Sequence, residues 1–272
     1  MTTRGIMIAD ISKPSPPRIL AVANQKGGVG KTTTAINLGT ALAAVDRRVV
    51  VVDLDPQGNA STGLGIASGA RRPSTYDVLV GDTPLATAMK PSLVPGLSVV
   101  PSGVDLSGAE IELVGLPGRE SYLQRALATV RDVDYVLIDC PPALGLLTIN
   151  AMVAAEALLV PLQCEFFALE GISHLLRTVE RVRRAFNPHL HIQGIVLTMF
   201  DRRNKLSEVV ATDVRAHFGD TVYHTVIPRN VRVSEAPSHG RPVILYDFAC
   251  AGSQAYVHLA SEVLRRERAR VA

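Results

Sequence analysis

The chain of 272 residues contains no Trp, and aromatic residues make up only 4% of it. Cysteine is also scarce: Cys140, Cys164 and Cys250 are an odd number, widely spaced, without a C-x-x-C pair. This pattern argues against a disulfide framework and a structural zinc site, and it favours a reducing compartment. The three thiols are therefore expected to be buried as small apolar side chains.

Long hydrophobic runs are absent as well. The longest, over residues 151–162, is interrupted by Glu156 and Pro161 and is too short to cross a bilayer. The N-terminus lacks the basic and apolar segments of a secretory signal, so a soluble, cytoplasmic protein is expected. The net charge of +3 is too small to indicate nucleic-acid binding, which would have to come from local clusters of Arg and Lys.

What the chain does have is ample material for a core, since 47% of its residues are hydrophobic. Apolar, β-branched runs without polar alternation predict strands that are covered on both faces. Helical patterns separate nearly all of these runs, which predicts an α/β fold: a doubly wound, mostly parallel sheet flanked by helices on both faces, in a single domain. The predicted strands cover residues 19–23, 48–53, 97–100, 135–139, 157–160, 192–199 and 222–227, and the first helix covers 34–45.

Composition also suggests the limits of that domain. Residues 1–17 are polar and end in a proline cluster, so they are interpreted as a flexible tail. The domain is expected over 18–264, with a loop-rich insertion over 67–95. A last helix over about 253–266 places Tyr256, Ala260, Val263 and Leu264 on one face, and residues 265–272 form a basic C-terminal end.

Residues 24–33 join the first predicted strand to the first predicted helix. Their glycines allow successive N–H groups to point inward, and the helix N-terminus adds partial positive charge, which is typical of a phosphate-binding loop (P-loop). Lys31 is expected to reach the outer phosphates and the Thr32 hydroxyl to ligate Mg²⁺. The loop departs from the general G-x-x-x-x-G-K-[ST] pattern, because Gln25 replaces the first glycine and a second lysine, Lys26, follows it.

Carboxylates end two of the predicted strands. Asp139 follows four apolar residues, in the position of an aspartate that holds Mg²⁺ through its water shell. Asp53 and Asp55 end the second strand, beside the P-loop if the sheet is parallel, where a carboxylate can polarise the attacking water and fix the metal. A structural role for Asp53, as a cap at the end of its strand, is an equal alternative.

Four motifs of this chain resemble those of the ParA/Soj family, the partition ATPases with a deviant Walker-type P-loop, within the wider group that includes MinD. The motifs cover residues 26–32, 53–59, 138–142 and 227–237, and the resemblance runs from about Arg18 to Leu264. It implies a P-loop NTPase fold that uses ATP and Mg²⁺.

The resemblance also implies residue roles. Lys26 matches the lysine that crosses a nucleotide-sandwich dimer to the partner's phosphates, and Asp55 matches the residue that positions the hydrolytic water. Asp139 matches the metal-side aspartate, and Pro228 with Asn230 match the loop beside the adenine. The catalytic residues implied are Lys26, Lys31 and Asp55; the metal site is Thr32, Asp55 and Asp139; and the nucleotide site adds Gln25, Gly27, Gly28, Val29, Gly30, Thr33, Pro228 and Asn230.

The base is expected to be adenine. Residues 198–201 lie where P-loop GTPases carry a Thr-Lys-x-Asp guanine reader, but Met199 stands in place of the lysine.

Nonspecific double-stranded DNA is the second expected ligand. Positive charge clusters after the strand that ends at Met199, without a helix that reads sequence, so it would contact phosphates with a strong dependence on salt. Solvated arginines at helix ends are the alternative. Arg203 and Arg232 match positions that the family uses for DNA, and Arg202, Lys205, Arg229 and Arg241 are further candidates.

The resemblance therefore implies a DNA-segregation ATPase that dimerises on ATP, associates with the nucleoid and is stimulated by a ParB/Spo0J-like partner. The main alternative is a MinD-like ATPase at the membrane surface, although only Val271 follows Leu264 as a bulky apolar residue, so stable membrane binding is not expected. An electron-transfer ATPase like the nitrogenase iron protein is a third class, and the cysteine positions do not match it: Cys140 adjoins Asp139 and Cys164 follows a different strand.

Overall fold

The computed structural model describes residues 16–271, so the predicted tail lies outside the described residues except for its last two. The strands are β1 (Arg18–Val22), β2 (Val49–Asp53), β3 (Lys90–Pro91), β4 (Leu97–Val100), β5 (Tyr135–Asp139), β6 (Ala157–Gln163), β7 (His191–Phe200) and β8 (Val222–Pro228). The helices are α1 (Lys31–Ala43), α2 (Asn59–Gly63), α3 (Thr75–Leu79), α4 (Leu85–Ala88), α5 (Leu106–Val114), α6 (Tyr122–Leu127), α7 (Leu146–Ala154), α8 (Ala168–Ala185), α9 (Lys205–Phe218), α10 (Val231–Glu235), α11 (Val243–Tyr246) and α12 (Ala251–Val271).

The strands form one sheet in the order β3-β4-β2-β5-β1-β6-β7-β8. Every neighbouring pair is parallel except β3 with β4. Since β1 lies between β5 and β6, the chain leaves it toward one side of the sheet and later continues on the other side. The carboxyl end of β1 therefore opens the crevice in which open α/β sheets bind ligands.

Side chains of the central strands alternate between two apolar cores. Val50 and Val52 of β2 pack with α5, α7 and α8 on one face, while Val49 and Val51 pack with α1 and α12 on the other. All five residues of β2 are buried, which explains why its sequence shows no polar alternation. The predicted doubly wound, mostly parallel sheet is confirmed.

The differences from the sequence prediction lie at element ends. Helix α1 begins at Lys31, three residues before the predicted start, because the P-loop itself forms its first turn. Helix α12 runs from Ala251 to Val271, longer than predicted at both ends, and Glu267 near its end forms an ion pair with Arg18 at 3.3 Å. Strand β3 was not predicted, since two residues that include a proline carry no recognisable strand pattern.

A close contact between β7 and β8 fixes one edge of the sheet. Gly194 lies under the ring of Tyr223, and a Cβ at Gly194 would approach that ring to within 2.3 Å. The ring cannot move away easily, because Tyr223 is fully buried and the Arg266 guanidinium stacks 4.1 Å from its centroid. Residues 198–200 form the other end of β7, and residues 201–203 follow it directly.

We expect Gly194→Ala to lower the free energy of unfolding by about 1–3 kcal/mol, because the new methyl group overpacks a rigid contact. Urea denaturation measures this value. Gly171→Ala on α8 is the matched control: a Cβ there meets open space, so the same substitution should leave stability unchanged or raise it by up to about 1 kcal/mol. Equal effects of the two substitutions would contradict the proposed contact.

Candidate nucleotide-binding site

Three polar contacts hold the P-loop at the carboxyl end of β1. The buried Asn24 side chain donates through Nδ2 to the Pro161 carbonyl at 2.7 Å and accepts at Oδ1 from the Lys26 N–H at 3.0 Å. The Thr198 hydroxyl donates to the Val29 carbonyl at 2.8 Å. Gly30, with φ of 89°, then turns the chain into α1, a left-handed conformation that favours glycine.

The loop lines a cavity of about 350 Å³ beside the predicted carboxylates. Its wall contains Gly27, Gly28, Gly30, Lys31, Thr32 and Thr33 from the loop, and Asp55, Gln57, Asn59, Pro142 and Met199 from neighbouring segments. Most of the predicted loop residues are thus brought together around one space. Gln25 and Lys26 lie exposed on its outer side, and Val29 is buried beneath it.

A second cavity, of about 220 Å³, adjoins the first and shares Gly30, Thr33 and Met199 with it. The predicted adenine-side residues Pro228 and Asn230 line this second cavity. Together the two spaces form a polar compartment followed by a more apolar one, which suits phosphates joined to a flat base.

Local structure shapes both Asn230 and Met199 for these positions. The Asn230 side chain accepts from the Arg232 N–H at 2.9 Å and so caps α10. Met199 has φ of 51°, unusual for a residue other than glycine, at the point where the two cavities meet. Sequence reasoning treated Met199 only as a missing guanine reader and did not find this position.

The two lysines of the loop have different surroundings. Lys31 is buried, and its Nζ donates to the Lys26 carbonyl at 2.9 Å across the loop. Burial lowers the pKa of Lys31, while the Asp139 carboxylate opposes that change. Lys26 is about half exposed at 47% and forms an ion pair with Glu165, the second residue after β6. Lys31 therefore faces its own cavity, and Lys26 stands on the rim.

Asp139 and Asp53 end the adjacent strands β5 and β2 in register, and both are fully buried. Burial raises the pKa of Asp139 well above its ordinary value, and the Asp53 charge adds to this effect. The Thr32 hydroxyl lies near enough to lower that pKa somewhat. Neither oxygen of Asp139, however, has a hydrogen-bond partner among the described residues.

Asp53 has a structural role instead. Its Oδ2 accepts from the Ser61 N–H at 2.8 Å and from the Ser61 hydroxyl at 2.6 Å, which joins β2 to α2. Burial raises its pKa to about 6, and these hydrogen bonds limit the rise. Asp55 lines the phosphate cavity, where it accepts from the Gln57 N–H at 3.0 Å. Of the two alternatives for Asp53, the structure favours the cap.

Among the predicted DNA-contact residues, Arg202, Arg203 and Arg229 line one groove of about 650 Å³ beside α12. Arg203 is 88% exposed and forms two hydrogen bonds of 3.0 Å with Asp201, which lower the pKa of that carboxyl to about 2. The other predicted residues, Lys205, Arg232 and Arg241, lie outside this groove. Three of the six predicted DNA-contact residues therefore lie together in this groove, and the other three lie elsewhere.

Arg232 is also paired within the fold: its guanidinium lies 3.0 Å from the Glu235 carboxylate and 3.5 Å from that of Asp247. The two arginines that match the family's DNA positions, Arg203 and Arg232, thus each meet a carboxylate of this chain. Sequence reasoning did not include these pairs, although Asp201 and Glu235 are close neighbours along the chain.

Comparison with known proteins agrees with this geometry. A family model described as an AAA domain matches residues 17–192. The chain is 65% identical over 262 residues to the chromosome partitioning protein ParA of Caulobacter vibrioides. The matched region covers 95% of this chain and 98% of that protein. It is 52% identical over 247 residues to the sporulation initiation inhibitor protein Soj of Bacillus subtilis, with 90% and 98% covered.

Among solved structures, a cobyrinic acid a,c-diamide synthase of Mycobacterium smegmatis with bound ATP analogue and magnesium superposes with a TM-score of 0.81 and 40% identity. The match covers 93% of this chain and 96% of that one. The family model, the two relatives and the shared fold lead to one conclusion: this chain belongs to the ParA/Soj family of partitioning ATPases.

Proposed function

We propose that this protein is an ATP-dependent DNA-segregation ATPase whose ATP-bound dimer binds DNA nonspecifically and is released when a ParB-type partner stimulates hydrolysis. The observation that carries the proposal is the pair of loop lysines. Lys31 faces its own phosphate cavity, while Lys26 is half exposed on the rim, where its ammonium is accessible to a second copy of the chain.

The phosphate cavity fits ATP with Mg²⁺. Asp139 presents two buried oxygens without a partner among residues 16–271, and buried carboxylates of this kind call for a cation or a proton. Asp139 does not itself line the phosphate cavity, whereas Asp55 does, and so does Thr32, whose hydroxyl lowers the pKa of Asp139. Oxygen ligands with few protein groups suit Mg²⁺, which keeps several waters and binds phosphate oxygens. When bound, the ion neutralises charge on the phosphates.

The chain's own residues then have separate tasks. Lys31 and the loop N–H groups hold the outer phosphates, and Asp55 orients the attacking water as a proton acceptor. Asp139, with Thr32, would hold the cation. Phosphoryl transfer depends mainly on positioning and on neutralising developing charge, and these groups supply both.

Dimerisation requires Lys26 to exchange partners. In the single chain its ammonium is held by Glu165, an exposed pair of the kind that contributes little stability. A nucleotide phosphate of a second copy offers more negative charge than one carboxylate. ATP bound to two copies therefore favours Lys26 reaching across, which couples hydrolysis to association.

DNA binding is assigned to the groove that contains Arg202, Arg203 and Arg229, with Arg232, Lys205 and Arg241 as outlying contacts. Three arginines supply the positive charge of this groove, so we propose that it binds DNA mainly through phosphates. The affinity for DNA should fall steeply as the salt concentration rises. The slope of log affinity against log salt concentration reflects the number of DNA phosphates that the protein neutralises.

A MinD-like ATPase at the membrane surface is the competing class. Within residues 16–271 no helix is long and apolar enough to cross a membrane. Sedimentation with anionic liposomes in the presence of ATP separates the two classes, since only a MinD-like protein would sediment and lose this property on truncation after Leu264.

We expect nonspecific DNA and the ParB-type protein of the same organism to raise ATP turnover together by more than the sum of the increases that each produces alone. The reason is that DNA selects the dimer on which the partner acts. Phosphate release measures turnover, with all four combinations in the same low-salt buffer. Turnover that is indifferent to DNA would overturn the proposal and favour the membrane class.

Lys26→Ala should retain ATP affinity within about threefold, because its side chain lies outside the phosphate cavity. Turnover should fall by about 10²-fold or more, the usual cost of removing one transition-state donor, and ATP should no longer produce a dimer. A fluorescent ATP analogue and sedimentation velocity measure these effects. Lys31→Ala is the comparison, and it should lose ATP binding itself. If Lys26→Ala loses binding as well, Lys26 belongs to its own cavity alone.

Asp139→Asn should stabilise the nucleotide-free protein at high pH. A carboxyl whose pKa is raised by folding destabilises the protein as pH rises above its ordinary value of 3.8, since the unfolded chain ionises more easily. We expect Tm to increase at pH 8 by about 2–4 °C, as about 1 kcal/mol produces, and the difference to shrink toward pH 4.

The control for this measurement is Asp132→Asn at a carboxylate that is 77% exposed. Its ion pair with Arg48 at 3.4 Å is also exposed and contributes little stability, so Tm should be unchanged at both pH values. In contrast, ATP with Mg²⁺ should stabilise the natural protein more than the Asp139→Asn variant. If Asp139→Asn is less stable than the natural protein at pH 8 without nucleotide, this carboxylate already has a stabilising partner within the fold. It would then have no need of a cation.

A further inference from the structure

Two adjacent phenylalanines in the segment between β6 and α8 are exposed to solvent. Phe166 is 75% exposed and Phe167 is 63% exposed, and they are the two most exposed of the six Phe in the chain. Their rings meet edge to face with centroids 5.1 Å apart. We call these two side chains the aromatic pair. Exposed aromatic side chains that adjoin one another are candidates for an interaction site, because aromatic residues are enriched at protein interfaces.

The aromatic pair lies on the rim of the phosphate cavity. Glu165, the residue before it, forms the ion pair with Lys26, and the Lys26 carbonyl accepts from Lys31 Nζ at 2.9 Å. A short chain of contacts thus leads from the aromatic pair to the lysine inside the cavity. Strand β6, which precedes the pair, is also the direct neighbour of β1, which precedes the P-loop.

We propose that the aromatic pair is an apolar anchor of the interface between two copies of this chain. The inference rests on the proposed function, in which Lys26 reaches the nucleotide of a second copy. For that contact to form, the rims of two copies must approach within the length of one lysine side chain. Groups that adjoin the ion-pair partner of Lys26 are then covered by the second copy.

The chemistry of the rim agrees with a second copy as the occupant. In a twofold dimer the same patch is used by both copies, so each chain contributes one aromatic pair and the interface contains two. Aromatic residues near the centre of an interface, surrounded by polar groups that exclude water, usually dominate its affinity.

The test uses the full chain with Asp55→Ala, in which hydrolysis is blocked so that ATP-bound protein persists. Sedimentation velocity over a range of protein concentrations, with ATP and Mg²⁺, gives the dimer dissociation constant. Adding Phe166→Ser and Phe167→Ser should raise this constant at least tenfold. Binding of a fluorescent ATP analogue to the monomer should remain within twofold, because neither ring lines the nucleotide cavities.

Phe186→Ser is the matched control. Phe186 is 48% exposed at the other end of the same helix, where it caps the C-terminus of α8, so it tests the loss of an exposed phenylalanine away from the rim. It should leave the dimer constant unchanged. Thermal unfolding of all variants checks that each remains folded.

A second readout needs no substitution at the rim. Amide hydrogen exchange over residues 164–169 should slow on addition of ATP, and the protection should grow with protein concentration. Protection that is independent of concentration would overturn the inference, since it would report nucleotide binding alone.

The outcomes separate the two proposals. If the Asp55→Ala chain dimerises with ATP and the aromatic variants dimerise equally well, the inference about the aromatic pair is wrong while the proposed function stands. Loss of partner stimulation alone, with an intact dimer, would assign the pair to another protein and also overturn it. If ATP produces no dimer in the Asp55→Ala chain, and a non-hydrolysable ATP analogue produces none in the natural chain, both proposals are wrong.

Discussion

The structure depends on keeping a lysine and two carboxylates together where little water reaches them. Lys31 and Asp139 are both buried, and burial disfavours the charged form of each: it lowers the pKa of the lysine and raises that of the carboxyl. Each charge partly compensates the other, and Asp55 adds negative charge at the cavity wall. The site therefore holds more charge than its own residues can satisfy, and a polyanion with a divalent cation resolves that imbalance.

These charged side chains stay close together only if the backbone that carries them is rigid, and the sheet provides that rigidity. Strands β2 and β5 place Asp53 and Asp139 opposite each other in register. Asp53 is satisfied by two hydrogen bonds from Ser61 and acts as a fixed support, whereas the Asp139 oxygens have no hydrogen-bond partner among the described residues. Asn24 and Thr198 tie the P-loop to β6 and β7 on its other side, which prevents the loop from collapsing into the charged space.

Sequence alone predicts what is local and continuous. The P-loop, the acidic strand ends and the buried strands are read from neighbouring residues, and all were found where expected. Contacts between distant segments were not predictable, such as Asn24 with Pro161 or Lys26 with Glu165, because the pattern at one residue carries no information on its distant partner. The aromatic pair illustrates the same limit: two phenylalanines after a strand suggest a core, and only the fold shows them in water.

The ion pairs of Arg203 and Arg232 bear on how the proposed DNA contact would work as a switch. Because Asp201 has a pKa of about 2, it stays charged at any physiological pH, and a DNA phosphate must compete with it for the same guanidinium. Each arginine then contributes less than a free one, so a single copy would bind DNA weakly. In the proposed dimer, two copies joined by ATP would present both sets of arginines on one body, and the second set would engage at a high effective concentration. Weak individual contacts would then make DNA binding depend on the dimer, as the proposed nucleotide-controlled release requires.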